Sequence, residues 1–332
     1  MKRRVLLRTR LSQYYLNINR EPDDIGGEGY IFHYALNGFG RCVLKIYLNE
    51  DKANKNREKI LYLMKLDAPF VNDKIRYCWP IAAIFDEQGK KYLGFMMQEA
   101  FPNSQNLTIL DSYYIGQTIA DVYPNEYEWH NKFELHTEKG LKNRYAILYN
   151  WAIAIWWLHK TGKYVLGDIK PENVMVTPDG KVSIIDIDSI QVEDKGRLLF
   201  ESNAHTLNYL PSEAYDIIKL HRKLNWNCDS FAMGCCFYSI LTGTHPYANT
   251  ILKYPYNNGR YNMISDRIKA DLYLRGKNSQ YLQIVENHNL HAHYHRLSKG
   301  LQTLFERTFC VTDYRPTARE WAVELKKAIH EQ

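Results

Sequence analysis

Apolar and polar positions divide the chain into two unequal stretches. Within residues 1–100 the pattern is short and alternating. Val5–Arg8, Tyr30–Ala35, Cys42–Tyr47, Ile81–Phe85 and Tyr92–Gln98 are rich in β-branched or aromatic residues and are separated by Gly, Asn or Asp turns, which predicts strands. One segment breaks this rhythm. From about Lys52 to Leu66, the apolar residues Ile60, Leu61, Met64 and Leu66 fall on one side of a charged helix. Residues 101–140 are polar and aromatic without a clear period. From Leu141 onward helical spacing dominates, in Leu141–Lys160, Asn227–Leu241, Lys299–Phe309 and Ala318–His330. The exception is Tyr164–Ile190, where Val174–Val176 and Val182–Ile185 flank a Pro178-Asp179-Gly180 turn and read as a hairpin. No internal repeat is present. The expected fold is α+β: a small β-rich lobe over residues 1–100, then a larger, mostly helical lobe over 101–332 with the hairpin on its inner face.

Composition narrows the class. The chain has 332 residues, 45% hydrophobic and 24% charged, ordinary for a folded protein of one large domain or two lobes. The formal charge of +6 suits an anionic ligand such as a nucleotide but is too small to argue for nucleic acid. Five of the first ten residues are Lys or Arg, read as a solvated strand edge or a frayed terminus. The N-terminus lacks the apolar run of a signal peptide. The most apolar stretches, Tyr145–His159 and Phe231–Leu241, fall short of the roughly 20 residues that span a bilayer. The six cysteines show no C-x-x-C spacing, as expected of reduced thiols in a cytoplasmic protein.

Three sets of residues carry possible chemistry. Asp24–Phe32 holds Gly26, Gly27 and Gly29 between two strands, where glycine lets the backbone approach a phosphate closely; a plain hairpin turn explains the glycines as well. Lys45 sits among apolar neighbours in a strand, and a buried lysine needs an anion. Glu58, on the predicted helix, is the carboxylate that could reach it. The third set is the loop Leu166–Asn173. Asp168 could accept the proton of an attacking hydroxyl, Lys170 could offset charge on a moving phosphoryl group, and the oxygens of Asn173 and Asp186 suit Mg²⁺. Asp and Asn also favour turns, but four such residues in this order exceed what turns require.

These residues resemble those of the eukaryotic-type Ser/Thr protein kinases. Lys45 matches the family's phosphate-binding strand lysine and Glu58 its helix partner. Asp168, Lys170 and Asn173 fall on the catalytic loop, and Asp186 on the metal-binding aspartate. Met96–Ala100 resembles the hinge, so that Met97, Gln98, Glu99 and Ala100 would hold the adenine. Leu210–Glu213, Asp229–Gly234 and Arg315–Ala318 resemble the end of the activation segment, the helix whose aspartate braces the catalytic loop, and the arginine that pairs with the activation-segment glutamate. The resemblance covers residues from about Gly26 to about Leu325. It implies a two-lobed fold binding ATP and Mg²⁺ between its lobes and transferring the γ-phosphoryl group to Ser or Thr of a protein substrate. Small-molecule phosphotransferases of the aminoglycoside type share part of the pattern, and an ATP-binding pseudokinase scaffold is a third reading. No nucleic acid and no membrane segment are expected; with no fused sensor domain in view, a regulatory partner protein or the cellular level of a ligand would supply the signal.

The sequence also departs from the family. Asp24 stands where the first loop glycine would be. Leu166-Gly167 replaces His-Arg, and the missing arginine implies activity that does not wait for activation-loop phosphorylation. Ile187-Asp188 replaces the Phe-Gly of DFG, and the resulting Asp-Ile-Asp-Ser resembles an atypical bacterial kinase-like group. Asp188 either adds a metal contact or stiffens the segment through local hydrogen bonds. Of the remaining signals, His288, His291, His293 and His295 read as a solvated loop rather than a metal site, and residues 101–140 as an insertion.

Overall fold

The structure, a computed structural model, describes residues 2–111, 118–285 and 290–330. The chain forms two compact units. One comprises Met1–Val71, Arg76–Phe101 and Ser183–Asp188; the other comprises Asn72–Ile75, Pro102–Val182 and Ser189–Gln332. The first is β-rich and the second mostly helical, the two-lobed α+β fold that the resemblance implies.

In the β-rich unit the strands are β1 (Lys2–Arg8), β2 (Gln13–Asn19), β3 (Asp24–Ile25), β4 (Gly29–Leu36) and β5 (Gly40–Tyr47). Helix α1 (Glu50–Leu63) follows, then β6 (Ile75–Tyr77), β7 (Pro80–Asp86) and β8 (Tyr92–Gln98). Seven of these strands form one sheet in the order β2-β1-β7-β8-β5-β4-β3, with antiparallel pairing throughout. Strand alternation sends side chains to opposite faces. Val5, Leu7, Cys42, Leu44 and Ile46 pack in one buried cluster. Leu6, Val43 and Tyr47 pack in another with Ala53 and Ile60 of α1 and with Met64 at its C-cap. Lys45 therefore emerges on the α1 face. The helix starts at Asn49, whose side chain accepts a hydrogen bond from the Lys52 amide at 3.0 Å.

The basic N-terminus is neither frayed nor an edge, because β1 lies between β2 and β7. Two of its arginines are anchored. The Arg4 guanidinium covers the Tyr15 ring at 4.4 Å. Arg8 covers Phe85 at 4.3 Å and donates to the Gly89 carbonyl at 3.0 Å.

The helical unit contains β9 (Gln105–Asn106), α2 (Ile119–Val122), α3 (Tyr127–Phe133), α4 (Glu138–Lys160), β10 (Tyr164–Val165), β11 (Val174–Val176) and the start of β12 (Val182–Ile184). Then come β13 (Gln191–Asp194), β14 (Arg197–Phe200), α5 (Ala214–Lys219), α6 (Trp226–Thr242), β15 (Thr250–Leu252), α7 (Ile264–Lys269), β16 (Leu282–Ile284), α8 (Lys299–Cys310) and α9 (Ala318–His330). Helix α6 is the centre of this unit. Cys228–Thr242 is buried along its whole length, and Gly243 ends it in the left-handed conformation at φ 83°. The predicted hairpin turn forms at Thr177–Lys181, where the Thr177 amide donates to the Lys181 carbonyl at 3.0 Å. No described helix is long and apolar enough to cross a membrane.

Candidate active site

In the helical unit the loop after β10 is shaped from below by α6. Asp229, 1% exposed, accepts hydrogen bonds from the Leu166 amide at 2.7 Å and the Gly167 amide at 2.8 Å. Its remaining bond is with His159 Nε2, at 2.8 Å. Holding both amides forces Gly167 to φ +74°, a region that side chains disfavour. A Cβ there would also meet Ser202 Oγ at 2.4 Å. Gly167 is thus demanded by the loop's own geometry.

Asp168 follows with its side chain 1% exposed. One carboxylate oxygen accepts from the Thr206 hydroxyl at 2.7 Å, and the other pairs with Lys170 Nζ at 2.8 Å. Lys170 also donates to Thr206 Oγ1 at 3.0 Å. Asn173 Nδ2 donates to the Asp168 carbonyl at 2.9 Å; that commits its nitrogen and leaves the amide oxygen as the atom suited to a cation. Pro171 starts a short 3₁₀ turn between Lys170 and Asn173. A carboxylate, an ammonium and a hydroxyl are therefore concentrated on one braced loop.

The β-rich unit holds the second set. Gly26 donates its amide to the Gly29 carbonyl at 3.0 Å. A Cβ on Gly29 would press on the Ile46 carbonyl at 2.8 Å, so this glycine is required for the close approach of β4 to β5. A Cβ on Gly27 would meet nothing within 4 Å. Lys45 is 5% exposed. Its Nζ lies 2.6 Å from Asp186, 2.9 Å from Asp188 and 3.5 Å from Glu28. Burial alone would lower the Lys45 pKa, but Asp188 and Asp186 carry it above the ordinary lysine value. Asp186 adopts φ +59°, an uncommon conformation for a non-glycine residue and one that recurs at functional sites. Carboxylate oxygens of Glu28, Asp186 and Asp188 lie within 4.8 Å of one another, a hard-oxygen set that fits Mg²⁺.

Glu58 does not pair with Lys45. Its side chain is 73% exposed and lies 3.7 Å from Arg57. The buried face of α1 runs through Ala53, Asn56, Lys59, Ile60 and Leu63, so the neighbouring residue, Lys59, points inward. Lys59 Nζ donates to the Asp188 carbonyl at 3.0 Å, and burial lowers its pKa to about 8, partly opposed by Asp188. In the hinge segment, Met97 is buried in β8 and Gln98 pairs with Cys42 across the sheet. The carboxylate of Glu99 is taken by Arg41 and by His33 Nδ1, the latter at 2.7 Å, and its carbonyl accepts from Arg76 at 2.7 Å. Ala100 packs on the cluster that contains Met97.

The flanking markers are also formed. Arg315, 4% exposed, pairs with Glu213 and donates to the Thr308 carbonyl at 3.0 Å. Residues 191–200 form a hairpin, β13 on β14, turned by Lys195 and Gly196 at φ 48° and 81°. Sequence reasoning missed Thr206, His159 and Lys59, and it left the role of Asp188 open. Thr206 lies 38 positions from Asp168 with no local pattern to mark it. Of the histidine cluster, His288 lies outside the described residues. His291 is buried, 2.7 Å from the Tyr238 hydroxyl and 2.9 Å from the Ala248 carbonyl, which makes it a core residue rather than part of a solvated loop.

The fold and these two sets of residues define a class, the protein kinases. Residues 95–324 match the sequence model of the protein kinase domain. That is well over half of the chain, and the chain belongs to this family. It is 25% identical to Protein kinase YegI of Escherichia coli O157:H7 over 315 residues, covering 90% of this chain and 43% of that protein. The same protein from Escherichia coli strain K12 matches at 25% over 313 residues, with the same shares. Serine/threonine-protein kinase mrck-1 of Caenorhabditis elegans is 27% identical over 150 residues, 45% of this chain and 9% of that protein. The chain spans less than half the length of the curated relatives it matches.

Proposed function

We propose that the chain is a Mg-ATP-dependent kinase that phosphorylates Ser or Thr of a protein substrate. Bound Mg-ATP supplies the phosphoryl group and a divalent charge to neutralise its oxygens. Asp168 orients the acceptor hydroxyl and takes its proton. Lys170 offsets negative charge as the hydroxyl attacks. Asn173 and Asp186 would hold Mg²⁺, Lys45 and the backbone of Gly26, Gly27 and Gly29 the phosphates, and the Met97–Ala100 segment the adenine.

The observation that carries this reading is the Thr206 hydroxyl. It donates to Asp168 at 2.7 Å and accepts from Lys170 at 3.0 Å. A threonine thus already makes the pair of contacts that an aliphatic acceptor needs, which supports Ser or Thr as substrate. The name of the mrck-1 relative, a serine/threonine-protein kinase, supports the same choice. The test is transfer of label from γ-labelled ATP to generic protein acceptors and to aminoglycosides, for wild type and Asp168→Ala. Label on Ser or Thr of protein, falling roughly 10²–10⁴-fold in the variant, is the expected result. Label on small molecules alone would assign a small-molecule phosphotransferase. Equal inertness of both proteins with ATP still bound would assign a scaffold.

A further inference from the structure

We propose that Asp188 is the positioning residue for Lys45, performing from the segment after β12 the task that a helix glutamate performs in the family. The inference rests on reading Lys45 as the phosphate-binding lysine. Three carboxylates surround the Lys45 ammonium, and they are not equivalent. The Glu28 side chain is 31% exposed at 3.5 Å and that of Asp186 is 26% exposed at 2.6 Å, whereas that of Asp188 is 0% exposed at 2.9 Å. Both oxygens of Asp188 are engaged, by Lys45 and by the Tyr47 hydroxyl at 2.9 Å. Tyr47 stands two residues from Lys45 on the same face of β5, so strand and acid fix each other.

The backbone of Asp188 is held as well. Lys59, 2% exposed, donates to its carbonyl at 3.0 Å. Helix α1 therefore contributes a cation at the place where a carboxylate was expected, and it grips the acidic segment through the main chain. Engaging a cation would draw Asp186 away from Lys45; Asp188 would then keep the lysine paired. The two acids of Asp-Ile-Asp divide the work. Where the family couples lysine placement to helix position through a Lys–Glu pair, here the carboxylate has left the helix, and the placement of Lys45 depends on the strand and on the acidic segment.

The test reads Lys45 directly, without nucleotide. Wild type, Asp188→Asn, Tyr47→Phe and Glu58→Gln are acetylated briefly with an N-hydroxysuccinimide ester, and the labelling of each lysine is measured by mass spectrometry. Lys45 is expected to be protected in wild type and in Glu58→Gln, to label several-fold faster in Asp188→Asn, and to fall between in Tyr47→Phe. Circular dichroism checks the fold; if Asp188→Asn unfolds, Tyr47→Phe carries the comparison. Labelling that is unchanged in the folded variants, or Lys45 exposed by Glu58→Gln, overturns the proposal. Kinetics add a second readout. KM for Mg-ATP is expected to rise roughly ten- to hundredfold in Asp188→Asn, as on loss of a charged hydrogen bond, with a smaller change in kcat. An inert wild type would refute the kinase reading, and the labelling would still decide the role of Asp188.

Discussion

The β-rich unit and the helical unit hold their buried charges in different ways. In the first, Lys45 meets charge, enclosed by Asp186, Asp188 and Glu28, while Lys59 meets the Asp188 carbonyl. In the second, Asp168 and Arg315 also have charged partners, but two of the most deeply buried charges meet backbone. Asp229 is satisfied by the Leu166 and Gly167 amides. Arg144, 0% exposed, donates to the carbonyls of Phe133, Leu110 and Ile240 at 2.8, 2.9 and 2.5 Å. A side-chain partner can be supplied from another element so long as a carboxylate arrives at the same point. A backbone partner cannot, because the loop conformation is itself the binding site. This explains how Asp229 keeps its two backbone partners although Leu166-Gly167 replaces the family's His-Arg, whereas Glu58 has given up the partnership with Lys45.

The largest effect expected from this contrast is that of Asp229→Ala. It leaves the buried Leu166 amide and the partly buried Gly167 amide without an acceptor, at about 3 kcal/mol of lost stability, measured by urea unfolding. Asp188→Ala should cost less, since Lys45 keeps Asp186 at 2.6 Å. If Asp188→Ala proves the more destabilising of the two, the contrast between the units is broken.

Gly167→Ala comes next. The left-handed backbone costs roughly 1–2 kcal/mol for a residue with a Cβ, and contact with Ser202 adds to it. The double variant Gly167→Ala, Ser202→Gly should recover the contact part alone. Full recovery would show that the backbone held by Asp229 imposes no strain.

A third, smaller effect is acid sensitivity that originates in the helical unit. His245 donates from Nε2 to the Asn208 carbonyl at 3.0 Å and accepts from the Tyr247 amide at 3.3 Å, which requires a neutral ring. Burial lowers its pKa to about 3 and that of His291 to about 4. Both lie below the unfolded value near 6.5, so the unfolded chain binds protons first. The stability these rings contribute is complete above pH 6.5 and is lost as the pH falls toward 4, at up to about 1.4 kcal/mol per pH unit for each ring. Urea unfolding at pH 7.5 and pH 6 measures the onset of the loss, less than about 1 kcal/mol per ring, and His245→Gln should reduce it by one ring's share. An unchanged loss would show that His245 does not carry it.

Much of the fold was legible because most elements bury one face with a clear period. The strands Tyr30–Ala35, Cys42–Tyr47 and Tyr92–Gln98 and the helices from Leu141, Asn227, Lys299 and Ala318 all form. Strand β2 escaped because it is an edge strand in which Ile18 alone is buried, so no alternation marks it. The hairpin of β13 and β14 escaped because its turn uses Lys195-Gly196 rather than Asn-Gly or Asp-Gly. Asp168, Lys170, Asn173 and Asp186 could be picked out because the spacing of the first three is local and a hairpin leads to the fourth. Thr206 and Asp188 act through contacts made by the fold, and their chemistry is invisible along the chain.

The smallest effect should come from the residue on which the helix reading depended. Leu61 and Met64 follow Glu58 at helical spacing, which turns that carboxylate inward on the sequence alone, since a lysine on an apolar face is normally counted as solvent-exposed. The buried face instead includes Lys59, because the Asp188 carbonyl offers it an acceptor. Glu58 is left with a long contact to Arg57 in solvent. Exposed pairs of this kind contribute little, so Glu58→Gln should change stability by less than about 0.5 kcal/mol and leave KM for Mg-ATP unchanged. Lys59→Met removes a buried donor from the Asp188 carbonyl and should exceed it on both measures. If Glu58→Gln is the more damaging variant, α1 presents its glutamate after all, and the two units follow the same rule.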